Sequence, residues 1–255
     1  QAEQPTRALR ARLLMKKRTP TPPPAPAEQD PRAMILHMLR TKSSMKQDVY
    51  SLTTTHFNAL KEVLQEIATD LQAQIAEADK RLTVKYTDKG EMACELKVAG
   101  DTIIFHMHTN VFKLDQSNSL WKTSYLAEDE LRGYFGVVNM YNFLSDSFKY
   151  NRERDLGYLV ARLFINREER FFVQGKRQLG FLYSDLASNV LDRTKLKQVV
   201  LSSVLYVLDF DLLAPPYDQV NQVTVSEVNE LNANMQISTG KRLGFRFQAD
   251  VEDFS

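Results

Sequence analysis

Glu95, His106 and His108 are the residues whose types and spacing first suggest chemistry. Histidines two apart on a β-strand project to the same side, and a carboxylate on the neighbouring strand would complete a three-ligand zinc or iron site. That constellation is the expectation for a metal-dependent hydrolase. Glu95-Leu96-Lys97 also has the Glu-x-Lys spacing of metal-dependent nucleases, but the preceding strand offers no second acid before Asp88, which falls in a turn. Lys85 and Lys97 on the same face add positive charge that disfavours a dication. The competing reading is a solvated sheet face on which Glu95 is a cross-strand partner of His106.

A second constellation is an echo. Gly175-Lys176-Arg177-Gln178-Leu179-Gly180-Phe181 recurs in shortened form as Gly240-Lys241-Arg242-Leu243-Gly244-Phe245. Each copy sets two cations beside a glycine whose backbone can approach a ligand closely. If the copies adjoin, Lys176, Arg177, Lys241 and Arg242 form an anion site suited to phosphate or a nucleic-acid backbone. The spacing is not that of a phosphate-binding P-loop, and no Ser or Thr follows the Lys. The alternative is a pair of strand-end turns with solvated side chains. No serine or cysteine nucleophile stands out, and two of the four histidines, His37 and His56, fall on N-terminal helical segments.

The element that positions the first constellation runs from Arg81 to Leu114. Apolar and polar residues alternate through three runs separated by glycine-containing breaks, which reads as an antiparallel meander. Asp88-Lys89-Gly90 as a three-residue loop pairs Tyr86 with Met92 and Val84 with Cys94. Gly100-Asp101 as a two-residue turn pairs Leu96 with Phe105 and Cys94 with Met107. One face is then Leu82, Val84, Tyr86, Met92, Cys94, Leu96, Val98, Ile103, Phe105, Met107 and Val111, and this face is expected to be core. The other carries Thr83, Lys85, Thr87, Glu91, Ala93, Glu95, Lys97, Ile104, His106, His108 and Asn110, with Glu95 facing His106.

Around the meander, residues 1–31 read as a basic, proline-rich disordered leader, with Arg7, Arg10, Arg12, Lys16, Lys17 and Arg18 ahead of a Pro-rich run. From Arg32 to about Ala78 the pattern is helical. Leu60, Leu64, Ile67, Leu71 and Ile75 form one stripe, expected to pack on the sheet or, alternatively, to serve as a homo-oligomer seam. Gly136–Phe143, Gly157–Ile165 and Arg170–Gln174 read as further strands, the last two a hairpin. Tyr183 to about Phe210 reads as a long, largely buried helix stopped by Ala214-Pro215-Pro216. Leu243–Phe247 reads as a last strand and residues 250–255 as an acidic tail.

The 255 residues carry a formal net charge of +1, which argues against a uniformly basic nucleic-acid binder. The single cysteine excludes a disulfide scaffold, and Cys94 reads as a small hydrophobe in a reducing compartment. The sequence therefore predicts an α+β fold: an antiparallel meander of about six strands packed against a long N-terminal helix and a long buried helix, in one domain over 32–249. The functional expectation is a cytoplasmic, non-enzymatic binding or regulatory protein with a protein or nucleic-acid partner, no membrane partner and no cofactor. The metal-dependent hydrolase, with zinc or iron, is the rival.

Overall fold

The structure, a computed structural model, describes residues 30–153, 155–176, 178–212, 214 and 216–234. The chain divides into two compact units, up to Arg40 and from Thr41. The described part of the first is a short helix, α1 (Pro31–Met38), and the start of a π-helical turn over Leu39–Ser43. Asp30 caps α1 by accepting from the Arg32 N–H, and Pro31 supplies the preset φ of a first helical turn.

The second unit is an α+β domain. Its sheet contains β1 (Val84–Asp88), β2 (Ala93–Val98), β3 (Asp101–Met107), β4 (Phe112–Lys113), β5 (Tyr134–Leu144), β6 (Tyr158–Asn166) and β7 (Phe171–Gly175). All pairings are antiparallel, in the order β1-β2-β3-β5-β6-β7, with β4 pairing β5 beyond the end of β3. The long helix α2 (Ser44–Ala78) lies on one face. Its inner stripe includes Phe57, Leu60, Leu64 and Ile67, all buried against Cys94, Leu96, Ile103, Phe105 and Met107. Of the stripe that could have joined two copies, Leu60, Leu64 and Ile67 are thus packed on the protein's own sheet. At Gly136 of β5 the helix comes so close that Thr53 occupies the space a Cβ would need.

The short helices are α3 (Ser124–Glu128), α4 (Ser145–Lys149) and α5 (Gln178–Leu182), and α6 (Arg193–Leu208) joins α2 on the same side of the sheet. The expected helix from Tyr183 begins ten residues later, where Asp192 accepts from the Lys195 N–H as N-cap. The residues before it serve the sheet edge. Val173 N–H donates to Tyr183 C=O, Phe171 N–H to Asn189 C=O and Leu191 N–H to Glu169 C=O. Those bonds occupy backbone groups that a helix would have used, and they cover the open side of β7. α6 buries Leu196, Val199, Val200, Ser203, Val204 and Val207, whereas Leu201, Leu205 and Leu208 on its outer side are exposed. It is half-buried rather than largely buried. A short turn of helix, α7 (Tyr217–Val220), precedes α8 (Val225–Asn234). The leader through 29, the Leu243–Phe247 strand and the acidic tail lie outside the described residues.

The two faces of the meander are as the alternation dictates, but the register is not. β1 pairs Tyr86 with Leu96 and Val84 with Val98, a shift of four from the expected pairing. β2 pairs Cys94 with Phe105 and Leu96 with Ile103, a shift of two. The β1–β2 connection spans Lys89–Met92, with Gly90 at φ 97°. The β2–β3 turn is Ala99-Gly100, with Ala99 in the left-handed region at φ 52°.

Candidate functional site

Among the described residues no long helix lies on the second face of the sheet, and the two ends of that face differ. Near the β6–β7 turn, Phe135, Val137, Phe164 and Phe172 are buried beneath Leu126 and Leu186, with Trp121 and Tyr125 packed against them. Phe164 and Phe172 stack with ring centres 4.5 Å apart. The connection that covers them is fastened by Asn166, whose amide donates to the Tyr125 hydroxyl and the Arg132 carbonyl. Beyond that cover the face is only partly buried.

On this uncovered part the pairings align side chains into transverse rows. Ala93, His106, Asn139, Arg162 and Gln174 follow one another across β2, β3, β5, β6 and β7. The next row is Glu95, Ile104, Tyr141 and Leu159, and the one beyond it begins with Lys85 and Lys97. Three cations from three strands therefore share the face. Glu95 is the carboxylate among them, and it lies 3.1 Å from Lys89 Nζ.

Arg162 is the unusual member. It is half-buried in a strand that is otherwise apolar from Tyr158 to Ile165. One guanidinium nitrogen donates to Gln174 Oε1 at 2.5 Å, and the group lies 5.5 Å from the Phe164 ring centre. Its buried Nε has no hydrogen-bond partner among the described residues. A buried donor left unmatched costs roughly 1–3 kcal/mol, and more when it is charged. Lys85 and Lys97 are similarly ill-matched, since like charges directly opposite on neighbouring strands repel. The sequence carried a signal for Arg162, a lone cation in an apolar run, but hairpin recognition used only the apolar residues.

The metal constellation is corrected by the observed register. Glu95 faces Ile104, and His106 faces Ala93, so the expected Glu95–His106 contact across the ladder is replaced. His108 lies past the end of β3, where its Nδ1 accepts from the Asn110 N–H at 3.0 Å and its ring meets Phe112 edge-on at 4.7 Å. No group of three or more His, Cys, Asp or Glu side chains among the described residues could hold a metal ion. Of the two Gly-Lys-Arg turns, Lys176 is described: it is exposed and follows directly on Gly175 at the end of β7. Arg177, Lys241 and Arg242 lie outside the described residues.

A groove of about 620 Å³ lies elsewhere, lined by Glu62, Gln65, Glu66, Thr69, Asp70 and Arg193. Its one cation is already held by Glu62 at 2.9 Å and by Glu66. Three carboxylates against one engaged guanidinium make this groove acidic, in contrast to the three cations on the sheet face.

The fold and site together define an α+β domain with one sheet face under helices and the other partly open and cationic. Comparison with family models, with curated proteins and with solved structures finds no match for this chain. No helix among the described residues is long and apolar enough to cross a membrane.

Proposed function

We propose that the protein is a non-enzymatic binding or regulatory protein that contacts an anionic partner, a nucleic-acid strand or phosphate ligand, through the open face of its sheet. The observation that carries this reading is the half-buried Arg162 guanidinium with an unmatched buried Nε. An anionic oxygen that drew the guanidinium outward would supply a charge-assisted hydrogen bond and release the enclosed Nε from its unmatched position. Lys85 and Lys97 would lose their mutual repulsion against the same ligand, and Lys176 stands at the rim beside Gln174. Tyr141 and His106 share this face with the cations and are ring side chains of the kind on which bases stack. Lys176 would extend the site from the end of β7, and Arg177, Lys241 and Arg242, outside the described residues, enter this reading from the sequence alone.

The test is fluorescence anisotropy of a labelled single-stranded oligonucleotide, with inorganic phosphate as competitor, across a salt series. Binding that weakens steeply with salt is expected, because each neutralised phosphate releases counterions. Arg162→Gln should weaken binding about tenfold or more, and Lys85→Glu with Lys97→Glu should lower the salt slope. Charge reversal at Lys176, Arg177, Lys241 and Arg242 measures the share of the turns. Unchanged affinity in the Arg162 and lysine variants, at unchanged melting temperature, would remove the sheet face from consideration.

A further inference from the structure

The outer side of α6 is the least expected surface of the domain. From its N-terminus it runs Thr194, Lys197, Gln198, then Leu201, Leu205 and Leu208, all exposed to solvent. The leucines are 41%, 62% and 49% exposed, and Leu212 just beyond the helix is 51% exposed. Single apolar residues on a surface are ordinary, but these are consecutive along one ridge. Their spacing of four and then three is that of a coiled-coil seam. The opposite side of the same helix is already filled by the protein's core, so the ridge is a second apolar stripe that takes no part in the core formed by the described residues.

The charges flanking the ridge indicate what covers it. Lys195 and Lys197 lie in the first turns of α6, and Asp209 and Asp211 follow its last turn. Laid antiparallel against itself, such a helix sets cations beside anions at both ends while leucines meet in the middle. Antiparallel pairing also opposes the two helix dipoles favourably. Parallel pairing would set like beside like at each end. A surface complementary to itself under a two-fold rotation is the requirement for a closed dimer.

We propose that α6 is the interface of a homodimer, in which Leu201, Leu205 and Leu208 of two copies interdigitate antiparallel and Lys197 of one copy meets Asp211 of the other. The seam is short against the roughly 800 Å² per partner of a standard stable interface, so the dimer is expected to dissociate on dilution. The partner is a second copy of this chain, and the proposal is independent of what the sheet face binds.

Sedimentation equilibrium of the full chain over a concentration series tests it. The apparent mass should rise from the monomer value toward twice that value. Leu205→Glu should hold the protein at monomer mass at every concentration, with its circular dichroism and thermal unfolding in the dilute limit unchanged because the side chain is exposed. Lys197→Asp should weaken association at least tenfold, and Lys197→Asp combined with Asp211→Lys should restore it. A wild-type chain that stays monomeric throughout would overturn the proposal and leave the ridge to another segment, such as residues 235–255. So would a dimer that survives Leu205→Glu, or a charge swap that fails to rescue.

Discussion

A Cβ on Gly136 would lie 1.9 Å from Thr53 Oγ1 and under 3 Å from two further Thr53 carbons. Thr53 cannot simply turn aside: it is fully buried, and its hydroxyl donates to the Val49 carbonyl at 2.6 Å. Gly136→Ala is therefore expected to destabilise the domain by about 1–3 kcal/mol, read from urea unfolding. Adding Thr53→Ala should recover part of that loss, since the two positions share one contact. His56, close by on the same helix, is a second residue with a defined consequence. Its Nε2 is buried without a hydrogen bond among the described residues, and Glu169 at 3.7 Å is too distant to supply one. Burial lowers the imidazole pKa below its usual 6.5, and Glu169 opposes this only in part. The unfolded chain therefore takes up the proton first as pH falls. The contribution of His56 is fully present above about pH 6.5 and is lost as pH drops through its folded value. Denaturant titrations between roughly pH 7 and pH 5 should show a steeper decline for the native chain than for His56→Gln. A parallel decline would assign the acid sensitivity to other groups.

At the scale of elements, the β6–β7 hairpin shows how one polar side chain can hold a fold feature in place. The Asn166 Oδ1 accepts from the Glu168 and Arg170 N–H groups within the turn, while its amide reaches Tyr125 and the Arg132 carbonyl. Asn166→Ala removes all four bonds from a fully buried site and should cost about 3 kcal/mol, with the covering connection the first region to exchange its amide protons. The hairpin itself was legible from its apolar runs; the role of Asn166 was not, because its partners are far away in sequence. The meander makes a similar distinction. Side-chain direction repeats every two residues, so alternation assigns Cys94 inward and His106 outward whatever the pairing. Shifts of two and four leave both faces intact while changing every partner, and Glu95 thereby lost His106. The longer first connection is fixed instead by a tertiary contact, Lys61 Nζ to Asp88 at 2.9 Å and to the Gly90 carbonyl at 2.6 Å. The segment before α6 misled for a related reason. Apolar residues such as Leu186 and Leu191 mark burial, and burial beneath a helix or beside a sheet edge leaves the same trace.

The near-neutral net charge of +1 conceals local imbalances of opposite sign. Glu62, Glu66 and Asp70 line the groove, and Lys85, Lys97 and Arg162 share the sheet face. An approaching polyanion would be oriented by that asymmetry before contact, so association should slow with added salt more than dissociation quickens. Stopped-flow rates with an oligonucleotide would show it. The α+β class and the two principal helices were readable from periodicity. The pairing of cations was not, because it depends on which strands become neighbours. Cys94 offers a last consequence. It is wholly enclosed between α2 and the sheet, and burial pushes its thiol up to about 12. A thiol-directed reagent can reach it only when the core parts, so the labelling rate clocks spontaneous opening of the native molecule without any engineered probe. Under conditions where reclosing outpaces labelling, that clock reads the free energy of opening at the centre of the domain. The chain carries its own stability gauge at the point where the helices meet the strands.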